Sequence, residues 1–369
     1  MPSSVAVEPA ARVQGWRVWL HVWKIHRWLG LGLGALIVLM SATGSLLVVH
    51  HELERVLERD RHVAAPGGPA APLAPIVDEL IRRAPPGYRL YRFHPAAATD
   101  ATHRFLFLAP DGKTRWTAFV VPANGRMVWS GPDQALFTPW LLGLHMQLRA
   151  GRSGYVVTMV AGIGLLLLGL TGIYVHRDRW RGLARHPFRW RLGWRVALGD
   201  LHKWVGLAAI YFPVVLGLTG AIYSWRIFTS APPTASSAPP PSAERFAPLE
   251  PMLAAAQAQF PDAELTRLQF PTRAGAPASV LLLHRRHPPW QKFSRVDFDT
   301  ATGALRSVRA AKEAPALEQF KSLLAPLHFG FHGATWVKWA YFFGGLTPGI
   351  LALSGGALWW MRRRGKRAT

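Results

Sequence analysis

The sequence predicts a membrane protein: an all-α four-helix bundle made of two tandem two-helix repeats, with an external α+β module inside each repeat. Three observations predict it. Residues 28–49, 155–175, 204–225 and 339–361 carry no charged side chain, and each stretch is near the ~20 residues a helix needs to cross ~30 Å of hydrocarbon. The basic residues crowd into short pieces between and beyond these stretches. Finally, the sequence around the first and second stretches returns, in order, around the third and fourth.

Charge placement orients the helices. Residues 1–27, 177–203 and 362–369 hold 17 Lys and Arg against Glu8, Asp178 and Asp200, which is +14 of the chain's +23. Positive charge stays on the cytoplasmic side of a bacterial inner membrane, so both termini and the middle basic loop are expected inside. The expected order is then 1–50 for the N-terminus and first span, 51–140 for the first external module, and 141–176 for the second span. A basic loop follows at 177–200, the third span at 201–226, the second module at 227–325, and the fourth span with its tail at 326–369. A soluble chain this basic would suggest nucleic acid; four bilayer-length apolar stretches argue against that partner and for lipid. No cleavable signal is evident, since the first apolar stretch is too long. With no cysteine, disulfides, cysteine-held iron–sulfur clusters and covalent haem attachment are excluded.

The repeat is specific. Lys24-Ile-His26-Arg-Trp28-Leu-Gly30-Leu31 parallels Asp200-Leu-His202-Lys-Trp204-Val-Gly206-Leu207, and Thr43-Gly44 and Thr219-Gly220 each begin 17 residues after the histidine. Leu144-His145 precedes Thr171-Gly172 by the same 26-residue step that separates Leu327-His328 from Ser354-Gly355. Both units start inside, so their symmetry axis runs along the membrane normal. Within the modules, residues 73–84 and 249–260 read as helices. Strands are expected at 88–93, 103–108, 114–121, 279–284 and 293–298, with turns through Asn124-Gly125 and 299–303. The Pro/Ser/Ala-rich stretch 231–243 reads as a tether.

Histidines near hydrocarbon are costly unless partnered. The repeat pairs His26 with His202 and His145 with His328, and an axis along the normal brings each pair to the middle of the bundle. Neutral imidazoles are axial ligands for haem iron. Two haems b per chain, each held by two histidines and stacked across the bilayer, is the economical arrangement. At ~100° per residue, Gly30, Leu33, Ile37 and Gly44 lie within about 40° of His26, and His51 within about 20°. His176 shares a face with Gly162, Gly169 and Gly172. His176 and His51 have no symmetry mate, yet remain candidate ligands in an asymmetric arrangement. Arg27, Lys203, Arg149 and Arg152 are candidates for anionic groups of the cofactor, or for lipid headgroups.

These residues carry a resemblance. The segments at 26–31 with Thr43-Gly44, and at 202–207 with Thr219-Gly220, resemble the PepSY-associated transmembrane proteins, a family that includes iron-regulated membrane proteins and siderophore reductases. Leu144-His145, Leu327-His328 and the Asp299–Gly303 hairpin match as well. The resemblance implies periplasmic PepSY-like modules on a di-haem bundle. It also implies an oxidoreductase that reduces ferric siderophore outside the cell during iron uptake, with quinol or a cytoplasmic reductase as electron donor. External residues Arg89, Arg92, Arg285, Arg286 and Trp290 are then candidates to receive an anionic chelate. Two other functions fit the same pattern: a membrane-anchored sensor whose modules bind peptide or protein, and a permease for siderophore or haem.

Overall fold

The structure is a computed structural model that describes residues 9–61, 70–96, 102–177, 188–230, 249–271, 275–330 and 334–365. The tether at 231–243, His332 and residues 178–187 of the basic loop lie outside the described residues.

Among the described residues, three helices are long and apolar enough to cross a membrane: α1 (Pro9–Val48, apolar from Trp16), α5 (Arg152–His176) and α11 (Thr335–Gly365). The fourth candidate is a pair, α6 (Trp194–Ala208) and α7 (Tyr211–Thr229), bent by 62° at the break between them. The sequence reading expected one continuous helix there. Pro213 accounts for the break. It has no N–H to give the Ala209 carbonyl, and its ring would press on that carbonyl in a continuous helix. Phe212 N–H takes the Ala209 carbonyl instead, at 2.9 Å, and Pro213 sits in the first turn of α7, where a missing donor costs least.

The helices close a ring: α1 packs on α5 and α11, α5 on α7, and α11 on α6. Between α5 and α7 the approach is backbone to backbone. A Cβ on Gly217 would stand 2.6 Å from Leu166 N and 2.8 Å from the Gly162 carbonyl, and one on Gly162 would meet Ala221 N at 2.8 Å. Small residues permit this closeness in lipid, where no hydrophobic gain pulls helices together.

The two modules are one sheet. β1 (Arg89–His94), β2 (His103–Leu108), β3 (Arg115–Val120) and β4 (Met127–Pro132) form one half, and β5 (Glu264–Gln269), β6 (Ala278–Leu283), β7 (Phe293–Phe298) and β8 (Leu305–Arg309) the other. All neighbours are antiparallel, in the order β4-β3-β2-β1-β5-β6-β7-β8. The halves join at β1 and β5, with Phe93 opposite Leu268 and Arg92 opposite Gln269. Each half alone would leave a free edge there and a thin core. Joined, they bury Leu90, Phe93, Phe105, Phe107, Leu268, Val280, Leu282 and Phe298 in one cluster under α3 (Leu73–Arg83) and α8 (Leu249–Gln259). Both covering helices lie on the same face.

The turns follow the expected chemistry. Gly125 reaches φ +69° in the Asn-Gly turn, with Asn124 Oδ1 accepting the Arg126 N–H at 3.0 Å. Asp299 Oδ1 accepts the N–H groups of Ala301 and Thr302 before β8.

Candidate functional site

His145 and His328 ride on short helices set before the spans rather than on the spans themselves. Helix α4 (Phe137–Gln147) ends at Leu148, φ +51°, and α10 (Leu324–Phe329) ends at Gly330, φ +73°. His26 stands mid-way along α1, ten residues after its apolar part begins at Trp16, and His202 lies in the second half of α6.

The structure brings these four histidines into two facing pairs. In the pair distant from the sheet, the His26 and His202 ring centres are 6.5 Å apart with planes at 89°. In the pair close to the sheet, His145 and His328 are 6.4 Å apart at 49°.

The hydroxyls around them determine which nitrogen is available. His26 Nδ1 lies 2.9 Å from Thr171 Oγ1, His145 Nδ1 2.9 Å from Thr43 Oγ1, His202 Nδ1 2.8 Å from Ser354 Oγ, and His328 Nδ1 2.8 Å from Thr219 Oγ1. A hydroxyl has one proton, and each of these already gives it to its own helix. Thr43 donates to the Leu39 carbonyl at 2.7 Å, Thr171 to Leu167 and Thr219 to Val215 at 2.6 Å, and Ser354 to Leu351 at 3.1 Å. The oxygens therefore accept from Nδ1–H, which fixes the neutral tautomer and leaves each Nε2 lone pair free for another partner.

The glycine after each hydroxyl completes the seat. A Cβ on Gly44 would stand 3.0 Å from His145 Cε1; on Gly172, 3.5 Å from His26; on Gly220, 3.3 Å from His328; on Gly355, 3.4 Å from His202. So the Thr/Ser-Gly dipeptides do two jobs: one residue orients an imidazole and the next makes room for it. From the sequence their register was visible and Gly44 and Gly172 were placed on histidine-bearing faces, but the hydroxyls were given no part in the site. The signal was the constant 17- and 26-residue steps.

Around the distal pair lies a cavity of about 1340 Å³, lined by both histidines, by apolar side chains such as Leu31, Ile37 and Leu168, and by Trp19 and Trp23. His176 also lines this cavity. Arg27 stands on its wall with a buried Nε that has no hydrogen-bond partner, its guanidinium over Trp23 and Trp28. Lys203 lines the wall too, held by Asp200 at 3.2 Å beside Arg189 at 2.8 Å.

Other candidates are placed elsewhere. The His51 side chain is 75% exposed and lies 3.7 Å from Glu54, joined to neither pair. Arg149 reaches toward Gln134, Arg152 donates to the Phe228 carbonyl, and both are exposed. Arg285 is bound to Glu264, at the opposite end of β5 from Gln269, the residue that faces Arg92. Among the described residues, no three His, Cys, Asp or Glu gather as a metal-binding group.

Fold and site together define a membrane protein with two facing histidine pairs beneath an antiparallel sheet. The chain belongs to the family of the PepSY-associated TM region, whose sequence profile matches residues 23–362. It is similar to a Pseudomonas aeruginosa protein named uncharacterized protein PA4219, 29% identical over 253 residues. That match covers 60% of this chain and 63% of the relative, a little under two thirds of its length.

Proposed function

We propose that this chain is a four-helix bundle of the bacterial inner membrane, both termini cytoplasmic, that holds a haem b at each histidine pair. In this reading it passes electrons outward to a ferric siderophore, making it a haem-dependent oxidoreductase of iron uptake. The observation that carries the reading is the orientation of the four imidazoles. Each has Nδ1–H committed and Nε2 free, and each faces another across about 6.5 Å. Two metal–nitrogen bonds of about 2 Å, with about 1 Å from each nitrogen to its ring centre, span nearly that distance. Two facing imidazoles with free Nε2 would be the protein's two nitrogen donors to a haem iron, and the porphyrin would supply the others. The glycines and the cavity suit a flat, largely apolar group, and Arg27 suits an anionic one at its edge.

Haem, when bound, supplies one-electron chemistry; the protein supplies position and environment. His26 and His202 hold the group near the cytoplasmic end, and His145 and His328 the one nearer the sheet. The hydroxyl partners keep the rings from rotating and raise their basicity as ligands. An electron moving outward across a membrane negative inside gains about 2.3 kcal/mol per 100 mV. The acceptor follows from its chemistry, since Fe(III) in a shell of hard oxygen donors is released more readily once reduced to Fe(II). Dithionite-reduced protein in detergent, freed of excess reductant, should be reoxidised by a ferric siderophore while a ferrous chelator traps Fe(II). Reoxidation by oxygen alone, with no Fe(II) trapped from any ferric chelate, removes the reductase role.

A further inference from the structure

The duplication that generates the histidine pairs also generates a pair of arginines. In β1 the ladder slips between Leu90 and Arg92; in β5 it slips between Leu265 and Arg267. The two bulges are equivalent, and so are the residues that follow them: Arg92 lies opposite Gln269, and Phe93 opposite Leu268, across the seam of the halves. Bulges re-aim the side chains beside them. Here they turn two guanidiniums onto the face opposite the buried cluster, one on each side of the repeat axis.

That face is unusually basic for a half-buried surface. Arg267, Arg295 and Arg309 share a cross-strand row through Leu281, and Arg104 and Arg115 lie beyond Arg92. Two carboxylates serve them. Asp133 binds Arg104 at 2.8 Å and also accepts from Thr117. Asp297 binds Arg295 and Arg309, and accepts from Ser279 and Ser307. Both acids are used up at the flanks. At the seam, among the described residues, Arg92 Nη2 meets only the neutral Tyr91 hydroxyl at 3.0 Å and Gln269 at 3.4 Å, and its buried Nε meets no partner. Arg267 has no hydrogen bond or ion pair to any described residue. Burial pushes the pKa of both guanidiniums down; the charges of Arg115 and Arg104 add to this at Arg92, and those of Arg92 and Arg295 add to it at Arg267. Two half-buried, mutually repelling cations with no acid between them cost stability unless something anionic joins them.

The arginine face is directed at the bundle. Helices α3 and α8 cover the opposite face. Arg104 is tied to Asp133, a few residues before α4, and Arg115 stands close enough to Tyr155, at the start of α5, for its field to reach that hydroxyl. Because one duplication relates Arg92 to Arg267 and His145 to His328, a single pseudo-two-fold axis runs through both pairs.

We propose that Arg92 and Arg267 are a two-armed clamp for a ligand carrying at least two oxygen anions, held on the repeat axis between the sheet and the His145–His328 pair. A guanidinium fork matches carboxylate, catecholate or phosphate oxygens two at a time. Identifying the ligand with the electron acceptor rests on the function proposed above; the binding itself does not. In that case the clamp places an anionic ferric chelate directly over the nearer haem site, and Arg285, Arg286 and Trp290 have no part in it.

The test is calorimetric titration of the full-length protein in detergent with gallium(III) citrate, a redox-inert stand-in for an anionic ferric chelate. Wild type is expected to bind one equivalent. Arg92→Gln and Arg267→Gln should each weaken binding about tenfold or more, and the Lys variants, which keep charge but lose the fork, should fall between. Unchanged unfolding midpoints separate lost contact from lost fold, and the Lys variants keep the test alive if a Gln variant fails to fold. Equal affinity in all variants, or no binding by wild type, overturns the clamp. So does a co-purified anionic phospholipid that the Gln variants release and gallium citrate does not displace, since the face would then hold a lipid headgroup. A colourless preparation that still binds gallium citrate keeps the clamp and removes the haem reading; a red preparation that does not bind does the reverse.

Discussion

Replacing Thr219 by Val keeps the side chain's volume and removes the oxygen that the His328 Nδ1–H reaches at 2.8 Å. If the imidazoles are haem ligands, the variant should retain the group less tightly at the pair near the sheet, by about 10- to 100-fold, and leave the distant pair unaffected. Haem retained after dialysis against an apo-globin acceptor measures this, and equal retention at both sites contradicts it. A second residue, His103, sets the acid limit of the sheet. It is buried, and its Nδ1 accepts the Ala96 N–H at 3.0 Å, so the folded sheet needs the neutral ring. Burial pushes its pKa down to about 4, and His94 is held at about 4 by burial and by Arg92 and Arg104. The unfolded chain takes up these protons near 6.5, earlier than the folded chain. Stability is therefore complete above about pH 6.5 and falls as pH drops toward about 4, by roughly 3 kcal/mol for His103. Thermal unfolding followed from about pH 7.5 to about pH 4 should show midpoints that decline through this window; a flat profile contradicts the assignment.

What the sequence disclosed depends on how many neighbours each element needs. Spans are legible because hydropathy is a property of the segment itself. The bend before α7 was not, because one proline is an ambiguous signal: Pro213 begins a new helix, while Pro348 sits inside α11 without ending it. Strand β5 went unread because its bulge puts Leu265 and Leu268 three residues apart, which breaks the period of two. Strand β8 is an edge, exposed along its whole length, with no buried face to leave a pattern. The four histidines were legible from the repeat, whereas the hydroxyls that orient them were not, since they act from other helices. Helix packing gives its own prediction. Gly217→Val sets a side chain against Leu166 N and the Gly162 carbonyl, so α5 and α7 must part at a cost of about 1–3 kcal/mol. Gly32→Val, where nothing lies within 4 Å, is the control and should leave the unfolding midpoint unchanged. Similar midpoints for the two variants would contradict the close packing.

At the scale of the molecule, one duplication explains the ring of helices, the joined sheet, the histidine pairs and the arginine pair. Each half latches itself: His26 of α1 reaches Thr171 of α5 while His145 reaches back to Thr43, and His202, Ser354, His328 and Thr219 repeat the exchange. Neither half builds a two-histidine site alone, since each pair takes one ring from each. Function, in this account, belongs to the assembled pair of repeats. The most direct test counts haem per polypeptide by pyridine haemochrome in the purified protein and in His145→Ala and His26→Ala. Two are expected in wild type and one in each variant, with six-coordinate low-spin spectra. Two haems surviving in both variants, or colourless protein purified from cells supplied with ample haem, contradicts this.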